Sequence, residues 1–230
     1  MKTPKLILAL FSFALFFLAF TSCEDNDETG KPTAQLEFET VTSSNNLKST
    51  AAQGIEFTDG NIIIGNVEFE TETENDSVEV EFEIESYITL DFATGETEPD
   101  LSAVEIVPGT YSEIELEIEL WDDTDQPSID LMGTWTDAND TTHTVKLEMP
   151  LGQTFSLEIE GEYTVKENTG IIATVTIDPG SWFAGEAGEL LPEATSNEDG
   201  VIVISPNQNS NIYNIIEDAI DRTSEVEIEM

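Results

Sequence analysis

Between Val78 and Glu85 the chain reads Val-Glu-Val-Glu-Phe-Glu-Ile-Glu, and between Ile114 and Leu120 it reads Ile-Glu-Leu-Glu-Ile-Glu-Leu. Strict alternation of apolar and acidic residues has one good conformational solution. A helix would scatter the two classes around its axis, whereas a strand sends successive side chains to opposite faces. Shorter versions recur at Leu36–Glu39, Val67–Glu74, Leu157–Glu160 and Val226–Glu229. Each reads as a strand with one face on a core and the other in water, the signature of antiparallel sheets.

Turn signals separate these runs: Asp59-Gly60, Gly65-Asn66, Asn75-Asp76, Thr94-Gly95, Pro108-Gly109 and Asn168-Thr169-Gly170. The spacing predicts strands over 36–40, 61–73, 78–92, 103–107, 112–121, 129–136, 142–149, 154–166, 171–178, 201–204 and 225–229. The last turn is expected to close a hairpin between Leu157–Lys166 and Ile171–Ile177. One short amphipathic helix is expected at about 211–222, with Ile212, Ile215, Ile216 and Ala219 at helical spacing to dock it on the strands. The fold class read from this pattern is all-β: an antiparallel β-sandwich with one short C-terminal helix. The sandwich is expected over 34–230, with a division near Gln126 left open.

The amino terminus sets an address. A basic start with Lys2 and Lys5 precedes an apolar run from Leu6 to Phe20. That run is shorter than the roughly 20 residues a bilayer-spanning helix needs, and it fits the apolar region of a signal peptide. Phe20-Thr21-Ser22-Cys23 follows, and it resembles a bacterial lipobox. The resemblance implies removal of residues 1–22, a diacylglycerol on the Cys23 sulfur and acylation of the new amine. Several acyl chains anchor firmly, since each buried CH₂ contributes about 0.8 kcal/mol. Glu24, Asp25, Asn26, Asp27 and Glu28 come next and look like the export signal of Bacteroidota lipoproteins displayed on the outer leaflet of the outer membrane. The expectation is an acidic tether over 23–33 and a membrane partner reached through the lipid.

The whole chain carries 49 Asp and Glu against 7 Lys and Arg, a net charge of −42. Loss of the leader would deepen the imbalance by the charges of Lys2 and Lys5. Such a polyanion repels nucleic acid and anionic lipid surfaces. Divalent cations, cationic surfaces, neutral glycans or another cell-envelope protein remain as partners. Cys23 is the only cysteine, so a lipidated chain has no thiol left for disulfides, nucleophilic catalysis or metal binding.

A family resemblance appears in the middle of the chain. Ile88-Thr89-Leu90-Asp91-Phe92-Ala93-Thr94-Gly95, followed by Val107-Pro108-Gly109-Thr110-Tyr111-Ser112-Glu113-Ile114-Glu115-Leu116, resembles the DUF4382 group of secreted and lipoprotein domains, a transthyretin-like or prealbumin-like sandwich. It covers about residues 62–120. Glu113 and Glu115 stand where members of the group often carry bases. The resemblance implies a fold and no activity.

Several chemistries lack their residues. The one histidine, His143, has no His-Glu-x-x-His or Gly-x-Ser-x-Gly context, and no Gly-rich phosphate loop occurs. A glycosidase needs two carboxyls converging in a cleft, whereas carboxyls on alternating strand positions form solvated ladders. A hydrolase is therefore the third reading, behind a non-enzymatic binding or structural module and a glycan-binding accessory of a polysaccharide-uptake system. Calcium is the one cofactor the loops suggest. Asp122, Asp123, Asp125 and Asp130 surround Pro127, and Asp137, Asn139 and Asp140 fill the next loop, supplying the oxygens this ion takes. Trp121 and Trp135 read as core. Trp182 and Phe183, in Pro-Gly-Ser-Trp-Phe, read as a loop pair available for stacking on a ligand.

Overall fold

The computed structural model describes residues 33–42, 54–72, 80–101, 104–105, 108–122, 126–150, 154–167, 169–220 and 225–229. Cys23 and the leader lie outside them, as do the tether up to residue 32 and the two loop acids Asp123 and Asp125.

The strands run in the order β1 (Thr33–Thr40), β2 (Ile55–Glu72), β3 (Val80–Asp91), β4 (Thr97–Glu98), β5 (Val104–Glu105) and β6 (Gly109–Leu120). They continue as β7 (Ile129–Thr136), β8 (Thr142–Met149), β9 (Thr154–Val165), β10 (Gly170–Ile177), β11 (Ile202–Ile204) and β12 (Glu225–Glu229). Short helices α1 (Pro179–Trp182) and α2 (Glu186–Leu190) lie between β10 and β11, and α3 (Ser210–Ile220) lies between β11 and β12. The molecule is all-β with one longer helix near the C-terminus, as the alternation predicts.

β2 organises the larger sheet. Its one edge pairs with β3 from Asn61 to Thr71. Its other edge is shared: Ile55–Ile62 pairs with β7 and Ile64–Glu72 pairs with β6. The sheet forks here, into β7, β8 and β11 on one branch and β6 and β9 on the other. Gln126 lies between β6 and β7, which pair with successive parts of the same strand.

Two bulges in β2 keep its apolar side chains on one face. Ile55 and Phe57 are buried, then Ile62 and Ile64, then Val67 and Phe69. The parity changes twice, and each change falls at a register shift, at Phe57/Asp59 and at Ile64/Asn66. One extra residue per bulge flips the face that the following residues present.

The smaller sheet has the order β12-β10-β1-β5. β1 and β10 run parallel, with Thr33 opposite Gly170 and Thr40 opposite Ile177. β8 and β11 are parallel too, so the sandwich is mixed rather than wholly antiparallel. The expected hairpin across Asn168-Thr169-Gly170 does not form. The turn itself is present, with Thr169 Oγ donating to the Lys166 carbonyl at 2.6 Å. It carries the chain from one sheet to the other, since β9 pairs with β6 while β10 pairs with β1 and β12.

The sheets face one another through Phe38, Val175 and Ile177 on one side and Ile62, Ile64, Ile118 and Leu120 on the other. The gap among them is about 10 Å³, room for no more than a single water. α3 closes one side of this core with Ile212, Tyr213, Ile216 and Ile220 buried, and Ile215 partly buried against it. Asn209 secures its start: the side-chain amide donates to the carbonyls of Val203 at 2.7 Å and Thr195 at 3.0 Å.

Candidate functional site

The outer face of the β3-β2-β6 sheet collects the acidic half of the alternation. Cross-strand register places Glu68 opposite Glu83 on one side and Glu117 on the other. Asn66 is flanked in the same way by Glu85 and Glu119, and Glu70 stands opposite Glu115. The two Glu-rich runs thus do not pair with each other but sit on either side of β2. Like charges directly opposite one another oppose folding. The consequence is visible at Glu117: partial burial pushes its carboxyl above the ordinary value, and Glu68, Glu115 and Glu119 push it further.

The carboxylate rows end on two aromatic rings. Tyr87 continues the outward phase of Glu83 and Glu85, and Trp121 continues that of Glu117 and Glu119. They lie two strands apart, with β2 between. They meet because the residue between them is Gly65 at the bulge, with no side chain to separate the rings. Their centroids are 5.3 Å apart at 75°, an edge-to-face contact. A Cβ at Gly65 would lie 3.3 Å from both Cα and Cε3 of Trp121. Tyr87 is 44 % exposed, the one large hydrophobic residue so exposed among those described. One residue further along β2, Asn66 donates from Nδ2 to Glu83 Oε1 at 3.1 Å. Its Oδ1 is buried and has no hydrogen-bond partner among the described residues.

Trp182 and Phe183 are placed differently from the sequence expectation. They are 2 % and 0 % exposed. Pro179 starts a helical turn, as its fixed φ favours at the first helical position, and α1 folds the pair against the sheet. Phe183 meets Phe57 at a ring separation of 5.7 Å, and Trp182 lines the gap between the sheets. Neither can stack on a ligand without unfolding this corner. Trp135 is core, as expected, and carries His143 stacked on it at 5.2 Å. Trp121 is the tryptophan whose ring lies on the outer face.

Of the acids in the calcium expectation, Asp123 and Asp125 lie outside the described residues, and the others are distributed along β7 and its ends. Asp122 precedes β7, and Asp137 and Asp140 follow it. Eight residues of extended chain put those ends roughly 24 Å apart. Asp130 is engaged with Lys146, whose Nζ lies 3.1 Å from it and 2.6 Å from Glu148. Asp137 serves its own turn: one oxygen accepts from the backbone N–H of Asn139 at 2.8 Å and Thr141 at 2.9 Å. The other lies 3.4 Å from His143 Nε2. The Thr141 N–H contributes most to holding the Asp137 carboxyl down at about 2, against an opposing effect of burial. Asp140 occupies the left-handed position of that turn, at φ 60°. Among the described residues no three His, Cys, Asp or Glu side chains converge on a point that could hold a metal ion.

One further concavity, of about 460 Å³, lies between β1 and the turn 94–97, lined by Gln35, Leu36, Glu37, Phe38, Glu96 and Asp100 among others.

Comparison with family models, curated proteins and solved structures returned no match. No helix among the described residues is long and apolar enough to cross a membrane.

Proposed function

We propose that this chain is a lipid-anchored lipoprotein of an outer membrane, displayed at the cell surface, that acts as a non-enzymatic binding module with a sandwich of the DUF4382-like kind. The anchor rests on the order of basic start, apolar run and Cys23, followed by the acidic tether. The binding role rests on one observation: acidic side chains are spread along an open sheet face that ends on the exposed Tyr87 ring, packed against Trp121. That is a surface built for contact rather than a cleft built for chemistry.

Two experiments test the two halves. Metabolic labelling with an alkyne fatty acid should mark the full-length protein, and Cys23→Ala should abolish both the label and the membrane fraction. Protease added to whole cells should cut the domain; protection of the domain in intact cells would place it on the inner leaflet instead. For the binding half, a ligand should change the emission of Trp121. The aromatic pair keeps a glycan-binding role as the second reading, now carried by Tyr87 and Trp121 in place of Trp182 and Phe183.

A further inference from the structure

We infer that the Tyr87–Trp121 end of the acidic face docks a basic polypeptide segment through an arginine side chain. This rests on the reading of the chain as an outward-facing binding module and names its partner. Two features of the patch ask for the same chemistry. The exposed ring of Tyr87, held edge-to-face against the half-buried Trp121, presents a π-face that attracts cations. The carboxylates of Glu85 and Glu119 flank Asn66 in the adjoining row, and they accept hydrogen bonds without donating any.

A planar guanidinium satisfies both at once. Its face lies on the Tyr87 ring while its N–H groups reach the flanking carboxylates. An ammonium offers charge but neither the plane nor the fork. Further carboxylates at Glu83, Glu68 and Glu117 continue down the strands with a repeat of about 6.8 Å for every second residue. An extended segment with bases at alternate positions matches that repeat. The two bases described with side chains, Lys146 and Lys166, lie on β8 and just after β9, so this face meets no cation of its own from either.

The test uses the full-length lipidated protein in detergent, titrated at physiological salt with an arginine homopeptide, a lysine homopeptide of equal length and a neutral oligosaccharide. Tryptophan fluorescence gives the readout. The expected result is binding of both peptides with arginine favoured, and a loss of about threefold for the arginine peptide in Tyr87→Ala. That loss should bring the two peptides level. Trp121→Phe, read by calorimetry, should keep most of the preference. A Glu119→Gln variant should weaken both peptides. Equal affinity for arginine and lysine, unaltered in Tyr87→Ala, would reduce the patch to bulk charge and overturn the proposal. Binding of the oligosaccharide without either peptide would overturn it in favour of the glycan reading. Neither outcome touches the anchor, which the Cys23→Ala labelling decides separately.

Discussion

Glu117 offers a direct measure of what the acidic face costs the fold. Its carboxylate faces Glu68 across the ladder, and Glu115 and Glu119 stand two residues away along its own strand. At about 6 Å two unit charges in water repel by ~0.7 kcal/mol, and a Debye length of about 8 Å reduces this to ~0.3 kcal/mol at physiological salt. Three such neighbours give about 1 kcal/mol. Glu117→Gln keeps the shape and removes the charge, so the variant should be more stable by about that amount at pH 7. For a domain of this size that corresponds to a melting temperature roughly 2–4 °C higher. The pH sign follows from the raised carboxyl of Glu117. Its favourable contribution is complete below the unfolded value and is lost as pH rises through the folded one. The wild type should therefore lose stability on going from mildly acidic to neutral pH, and the variant less so. Thermal unfolding at low salt and in molar NaCl checks the cause. At about 1 M the Debye length is about 3 Å, so most of the gain should vanish. A gain that persists in molar salt, or a variant less stable than wild type, would refute the Coulombic reasoning.

Three further outcomes are expected. Asp178, buried at the end of β10, has its carboxyl raised by burial, with the backbone N–H groups of Ser181 and Gly180 acting the other way. Asp178→Asn should match or exceed wild-type stability at pH 7 in chemical denaturation, and the difference should disappear as pH falls below the ordinary carboxyl value. Asp137 has the opposite sign: its contribution is complete above its unfolded value of 3.8 and is lost as pH falls toward about 2. Asp137→Asn should thus be destabilising at neutral pH and indistinguishable from wild type near pH 2, as followed by circular dichroism. Phe183→Ala should cost about 3–5 kcal/mol by emptying a fully buried site, where a ligand-stacking loop residue would cost almost nothing.

Strands were legible where period two is unbroken, as in β3 and β6, because polarity alone reports the face. β2 was legible only in part. The run Ile62-Ile63-Ile64 hides the point where the buried phase passes from odd to even numbers, and nothing at Thr58 or Gly65 announces a bulge except the turn-forming Asp59-Gly60 and Gly65-Asn66. Pairings between distant strands, β1 with β10 and β8 with β11, leave no local mark. Pro-Gly-Ser before Trp182 and Phe183 is ambiguous, because a proline that marks a loop also opens helices. Tyr87 carries a readable signal: it occupies the acidic phase of its strand, so an aromatic ring there faces water or a partner. Nearness in sequence carries no distance across a strand: Asp122 precedes β7, whereas Asp137 and Asp140 follow its far end.

The parallel pairing of β1 with β10 has a consequence for how the molecule comes to be. Thr33 finds its parallel neighbour only at Gly170, and its other partner, Glu105, belongs to a two-residue strand that pairs only with Thr33 and Ala34. Most of the strand nearest the proposed lipid must therefore wait, unpaired, until β10 arrives. Contacts that distant make folding slow. In the interval β1 is an open edge bearing Leu36 and Phe38 and fringed by Glu37 and Glu39. Mutual repulsion among many such chains on one membrane would hold those edges apart until each sheet closes on itself, so the charge that weakens the finished fold guards the unfinished one.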